Sequence, residues 1–559
     1  FTHAVFRAVL YDSQSHLRRT SEHLRVGEAI ERRHAADLTP WLDVLAYQFE
    51  RCVEIAGPER AIDYLRRAGR YAEVQRGNDH AAGFYRRALR LVEPSDDPAD
   101  RRLHCELMIE LGDAERRSGQ RLAGKTLLEA TECAIAIGDD ELATRAVLGS
   151  GRGIFSLAGS LDPQRVAALR RVLELLGADA TDRRARVLAA LSAELTFDDD
   201  PSTARDASDE SVFIARRLDH PATLVTALGM RMVALWRADR VQERLQIGAE
   251  LDEFRQLAGS RRSGQFVSTM TLYCQAAMEG GELELADRLL TWIEQTAHEL
   301  RQPTTVGYVK LRLASRAAIA GRLDEAEQLA AEAYQLCLQG GQKDAEAFYA
   351  GQLFTIRLHQ GRLGEVIERV EEAATRYPGI RAFRAAVAVC AAEIGDLERC
   401  RRDLDDIAAG LDQIRFDLNW LPAMALATVA AARLGATDLA ARLRPKLVAH
   451  ASQFVDNAST FFGSVEHFSA LCSTVLGDHD AVDASFEAAL RAHRRLDSPP
   501  LLARTELEYA TALAQRTPRP DDRIMDLATA ALVEAERSGY RTIMERSAEL
   551  VSRLEAAVG

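Results

Sequence analysis

Gly321-Arg322-Leu323-Asp324-Glu325-Ala326 opens a run in which Leu323, Ala326, Leu329, Ala330, Ala333 and Leu336 follow steps of three and four residues. That spacing stacks side chains on one face of an α-helix and predicts one buried stripe. The same turn chemistry stands upstream in Gly281-Glu282-Leu283-Glu284-Leu285-Ala286. Working outward, a glycine or a short polar turn recurs at Gly77, Gly119, Gly159, near Asp199, and at Asp239, Gly281, Gly321, Gly361, Gly395, Gly435 and Gly477. The spacing is about 40 residues, with one shorter step between Gly361 and Gly395. A glycine relieves the bend between two antiparallel helices, and a small residue five positions on lets the second helix lie close to the first.

Each such hairpin leaves an apolar face open until its neighbour stacks on it, so the array closes its core only as a whole. Between the turns Ala, Leu, Arg and Glu dominate, runs of β-branched residues are scarce, and the breaks at Pro94–Pro98, Asp200-Pro201, Pro303, Pro378-Gly379 and Pro499-Pro500 have turn chemistry. The expected fold is all-α: a right-handed superhelix of about eleven or twelve helical hairpins.

The 559 residues carry 71 Lys+Arg against 84 Asp+Glu, a net charge of −13. That balance argues against a general nucleic-acid surface, which needs clustered basic charge. The most apolar helix-length run, Leu421 to Leu434, is interrupted by Pro422, Thr428 and Arg433 and falls short of a membrane span. Eight cysteines without a C-x-x-C pair predict reduced thiols and a cytoplasmic protein. A chain beginning at Phe1 is expected to be cut from a longer one.

The turn hexapeptides at Gly281 and Gly321 resemble the central turn of tetratricopeptide repeats. The longer period resembles the sensor region of maltose-activator-like regulators, which belong to the signal-transduction ATPases with numerous domains. Phe1-Thr2-His3-Ala4-Val5-Phe6-Arg7, Tyr11-Asp12-Ser13 and His23-Leu24-Arg25-Val26-Gly27-Glu28-Ala29-Ile30-Glu31 are similar to that family's junction between winged helix and superhelix. Ala61–Gly69 and Ala81–Leu89 resemble its first repeats, and Ser485–Leu490 through Ala503–Ala510 its last ones. Ala8 departs from the pattern, because the family usually carries an acidic residue there.

The resemblance implies segments 1–35 as a junction to an upstream winged-helix and ATPase module, 36–95 as the first hairpins, and 96–559 as the superhelix. It also implies ATP or ADP with Mg in the upstream module and none in this chain. The family's phosphate-contacting histidine would be His3.

Gly119-Gln120-Arg121-Leu122-Ala123-Gly124-Lys125-Thr126 matches G-x-x-x-x-G-K-[ST]. A phosphate loop needs a strand leading in, whereas Leu107–Arg117 is amphipathic and helical, so the match reads as a repeat turn. Asp198-Asp199-Asp200 reads as a solvated loop, and Cys390 and Cys400 as buried small hydrophobes. No metal-ligand spacing and no nucleophile elbow appear, so nothing nominates a catalyst.

In tetratricopeptide arrays the first helix of each hairpin lines the inner groove. Counting back from the turns selects Trp236, Arg237, Thr271, Gln275, Met278, Tyr308, Leu311, Ser315, Phe348, Thr355 and His359 as candidate groove residues. Aromatic rings with scattered hydroxyls suit a small, partly apolar effector or a partner helix better than a peptide carboxylate. The expected function is that of a sensor arm coupled in cis to an ATPase, with no direct nucleic-acid or membrane contact and with self-association left open. A passive protein–protein scaffold is the alternative.

Overall fold

The computed structural model describes residues 11–75, 77–92, 95–151, 158–218, 220–257, 264–300, 302–516 and 521–558. His3, the resemblance's nucleotide contact, lies outside them. The described residues form 28 α-helices and one two-stranded hairpin. The architecture is the all-α helical-repeat solenoid expected from the turn spacing. Each turn read from the sequence separates two helices: Gly321 stands between Pro303–Ile319 and Leu323–Gln339, and Gly435 between Trp420–Leu434 and Thr437–Val448. Ala326, Ala330 and Ala333 are fully buried, as the stripe requires.

The polar breaks prove to be helix starts. Asp97 accepts from Ala99 N at 2.7 Å ahead of Pro98–Arg117, and Asp200 accepts from Ser202 N at 2.9 Å ahead of Pro201–Arg217. A capping carboxylate followed by proline at the first helical position satisfies orphan amides where proline has none to lose. Gly435 ends its helix at φ 63°, where nothing would meet an added Cβ.

Packing divides the chain into two units, residues 1–152 with 163–187 and residues 153–162 with 188–559. In the first unit, Gly69 lies under Tyr85 and Gly112 under Leu127, each too close for a side chain. The carboxylate of Glu110 is held by Arg66 and Arg70, and that of Glu115 by Arg86 at 2.8 Å and by Thr126 Oγ1 at 2.8 Å. One sequence expectation fails here: Cys105 and Cys133 form a disulfide with Cα atoms 5.9 Å apart. The facing helices Pro98–Arg117 and Ala123–Ala136 bring them together, a proximity that cysteine spacing alone does not reveal. The other six cysteines are buried thiols, among them Cys390 and Cys400.

In the second unit the closing helices turn back onto earlier repeats. Ser498 Oγ donates to Ile319 O at 2.6 Å, and Arg504 to Leu358 O at 3.0 Å. Tyr540 Oη sits where a Cβ on Gly321 would be 2.5 Å away. The run Leu421–Leu434 is a core helix of this unit, and no helix of the described residues is long and apolar enough to cross a membrane.

Candidate functional site

The site is built by a device that the repeat spacing conceals. Between Thr437–Val448 and Val465–Leu476 the chain leaves the helical pattern and forms β1, Phe454–Asp456, and β2, Phe461–Ser464. They pair antiparallel, Phe454 with Ser464 and Val455 with Gly463. Asn457 shapes the tip: its Oδ1 accepts from Ser459 N, Thr460 N and both hydroxyls at 2.9 to 3.2 Å, and Ala458 takes φ 71°. A side-chain oxygen that collects several local donors replaces the ladder a short hairpin lacks.

The hairpin is held by the inner helices of the second unit. Arg312, on Pro303–Ile319, donates to both oxygens of Asp456 at 2.8 and 3.1 Å, with both side chains buried. Gln275 Nε2 reaches Asp456 O at 3.2 Å and Glu279 at 2.8 Å. Glu279 in turn takes Arg244, whose other amine meets Gln275 at 2.7 Å. Burial raises the Glu279 carboxyl, against the opposing pull of Arg244. This chain of partners satisfies charges that could not otherwise be buried. On the opposite side, Asn457 Nδ2 donates to Asn419 Oδ1 at 3.0 Å, and His493 Nε2 accepts from Ser464 N at 2.9 Å.

Between hairpin and helices lies a cavity of about 120 Å³. Its rings are Trp236, Tyr308, Phe348, Phe354, Phe383 and Phe462; Ser268, Thr271, Leu311, Arg312, Gln342, Asn419 and Thr460 complete much of the wall. Trp236 is 4% exposed, and its Nε1 has no hydrogen-bond partner. Behind the wall, burial pushes Asp344 up to about 6, an effect limited by the amide of Ala158, and likewise pushes Asp417 up to about 6 against the amide of Asn419.

Of the residues chosen from the sequence, Trp236, Thr271, Tyr308, Leu311 and Phe348 meet in this cavity. Ser315, Thr355 and His359 line a separate void of about 10 Å³ beside Phe461 and Leu501. Burial, with help from Arg504, holds His359 down to about 3. Gln275 lies beneath the hairpin and Met278 in the core. Arg237 lines neither space: it lies over Phe416 at 4.8 Å and pairs with Asp239 at 3.1 Å. The hairpin residues were missed altogether, although Phe454-Val455 and Phe461-Phe462 flanking Asn457 carry a strand–turn–strand signal.

The phosphate-loop match is a hairpin turn. Its lead-in is the helix Pro98–Arg117, Gly119 N and Gln120 N are already bonded to Arg116 O and Glu115 O, and Lys125 is exposed beside Glu129. Asp199 pairs with Arg415 at 3.1 Å. Among the described residues no group of His, Cys, Asp and Glu could hold a metal ion.

No known family profile matches the chain, and no curated protein does. Among solved structures it is similar to the Cut9–Hcn1 hetero-tetramer of the APC/C, at 13% identity and TM-score 0.42, over 92% of this chain and 95% of that one. It is also similar to a Rap protein complexed with competence and sporulation factor, at 13% identity and TM-score 0.41, over 67% and 98%. At that level neither likeness bears on what this chain binds.

Proposed function

We propose that this chain is the sensory arm of a larger bacterial signal-transduction ATPase or transcriptional regulator, and that a small effector occupies the cavity beneath the hairpin. The observation that supports this is an aromatic cavity one wall of which is an inserted hairpin, tied by a buried ion pair to the inner helices. An effector shifts a switch only by binding its two states with different affinity. A cavity formed jointly by hairpin and helices supplies that difference, because any displacement of the hairpin dismantles the wall. The nucleotide switch, its ATP or ADP with Mg, and the contact through His3 belong to this reading by resemblance alone.

Native mass spectrometry of the purified chain, after exposure to metabolite extract from its source, tests the reading. A reproducible small-mass adduct, lost in Trp236→Ala and Tyr308→Ala, is expected. A well-folded chain with no adduct would overturn sensing in favour of a passive scaffold.

A further inference from the structure

The cavity wall specifies the chemistry of its occupant. Resting on the sensing reading above, we infer that the ligand is an uncharged, largely apolar molecule of one- or two-ring size.

Size sets the first limit. The cavity measures about 120 Å³. An apolar cavity of roughly 150 Å³ holds a benzene molecule, so a long peptide or an oligosaccharide does not fit within the wall as it stands.

The spent polar groups set the second. Ser268 and Thr271 donate to the carbonyls of Gly264 and Val267, each at 2.9 Å. The Gln342 amide donates to Tyr308 Oη, and Asn457 is committed to its own turn and to Asn419. A ligand with many hydroxyls would lose water and find few partners in return.

Charge sets the third limit. Arg312 is the charged side chain of the lining, and Asp456 already holds both of its terminal nitrogens. A ligand of either sign would enter without a counter-charge and meet a desolvation cost that nothing offsets.

Three one-ring probes test the class by calorimetry on the wild-type chain: acetophenone, benzoate and benzylamine. Acetophenone is expected to bind at least about tenfold tighter than either charged probe.

A charged probe binding as tightly as acetophenone overturns the inference. If the probes fail while metabolite extract still leaves an adduct, the ligand class is wrong and sensing stands. If both fail, both fall.

Discussion

Arg312 and Asp456, 144 residues apart in sequence, meet in a two-point ion pair inside the second unit. The pair is buried on both sides and fixes the hairpin against a helix of the inner layer. Asp456→Asn leaves a buried guanidinium with no counter-charge and should cost about 3–5 kcal/mol. Removing both charges, Arg312→Met with Asp456→Asn, keeps an oxygen for Ala458 N and should cost far less. Denaturant unfolding of the three proteins checks this, and equal losses in the single and double variants would refute it.

The disulfide stabilises by limiting the unfolded chain, with a sequence separation of 28 between Cys105 and Cys133. A loop of that size predicts a loss of about 3.6 kcal/mol when both become serine. The loss should appear in the transition belonging to the first unit, followed by circular dichroism with and without reductant. Cys274, Cys390 and Cys472, whose thiols burial raises to about 11, 12 and 11, should stay unmodified by a thiol reagent until the chain unfolds.

Acid should loosen the hairpin. Burial, with His467 beside it, holds His493 down to about 3; burial, together with Arg504 and against the pull of Glu508, holds His467 down to about 4. The unfolded chain takes up these protons first, near pH ~6.5, so this stability is complete above that value and is lost as pH falls toward the folded values. Glu506, raised to about 7 by burial, works the other way over an overlapping range: its cost grows as pH rises toward 7. Protonated His493 can no longer accept from Ser464 N. His493→Gln should therefore melt less steeply with acid than wild type between about pH 7 and pH 4.5. Identical slopes would show that His493 is not the acid-sensitive anchor.

Two turn glycines should respond differently to alanine. At Gly435 an added Cβ meets nothing, so Gly435→Ala should cost only the left-handed backbone penalty of about 1–2 kcal/mol. At Gly321 the same Cβ would lie 2.5 Å from Tyr540 Oη, so the closing repeats must shift as well. Gly321→Ala should be the more damaging in thermal melts, and Tyr540→Phe should restore part of the loss.

The repeat was legible because one helical period and one turn chemistry recur along the chain, as the buried Ala326, Ala330 and Ala333 show. Thr271, Tyr308, Leu311 and Phe348 reach the cavity from first helices of their hairpins, and Trp236 from the loop just after one. The β-hairpin was not legible, because it occupies length that the flanking helices, Thr437–Val448 and Val465–Leu476, give up. Gly435 and Gly477 therefore keep nearly the ordinary spacing across it. Arg237 precedes a short 3-10 turn, Ala238–Arg240, and its side chain lies over Phe416. The disulfide depended on how two neighbouring helices face each other, which no local pattern encodes.

The return of the closing helices onto the central turns bears on the order of events during synthesis. The cavity's lining is complete once Phe462 has been made. The contacts that brace its helices from outside, through Ser498, Arg504 and Tyr540, come from residues translated later. An open array of repeats acquires structure one neighbour at a time. Here a nascent chain holds every wall of the cavity before it holds the buttress, so bracing of the second unit waits until Tyr540 has been made.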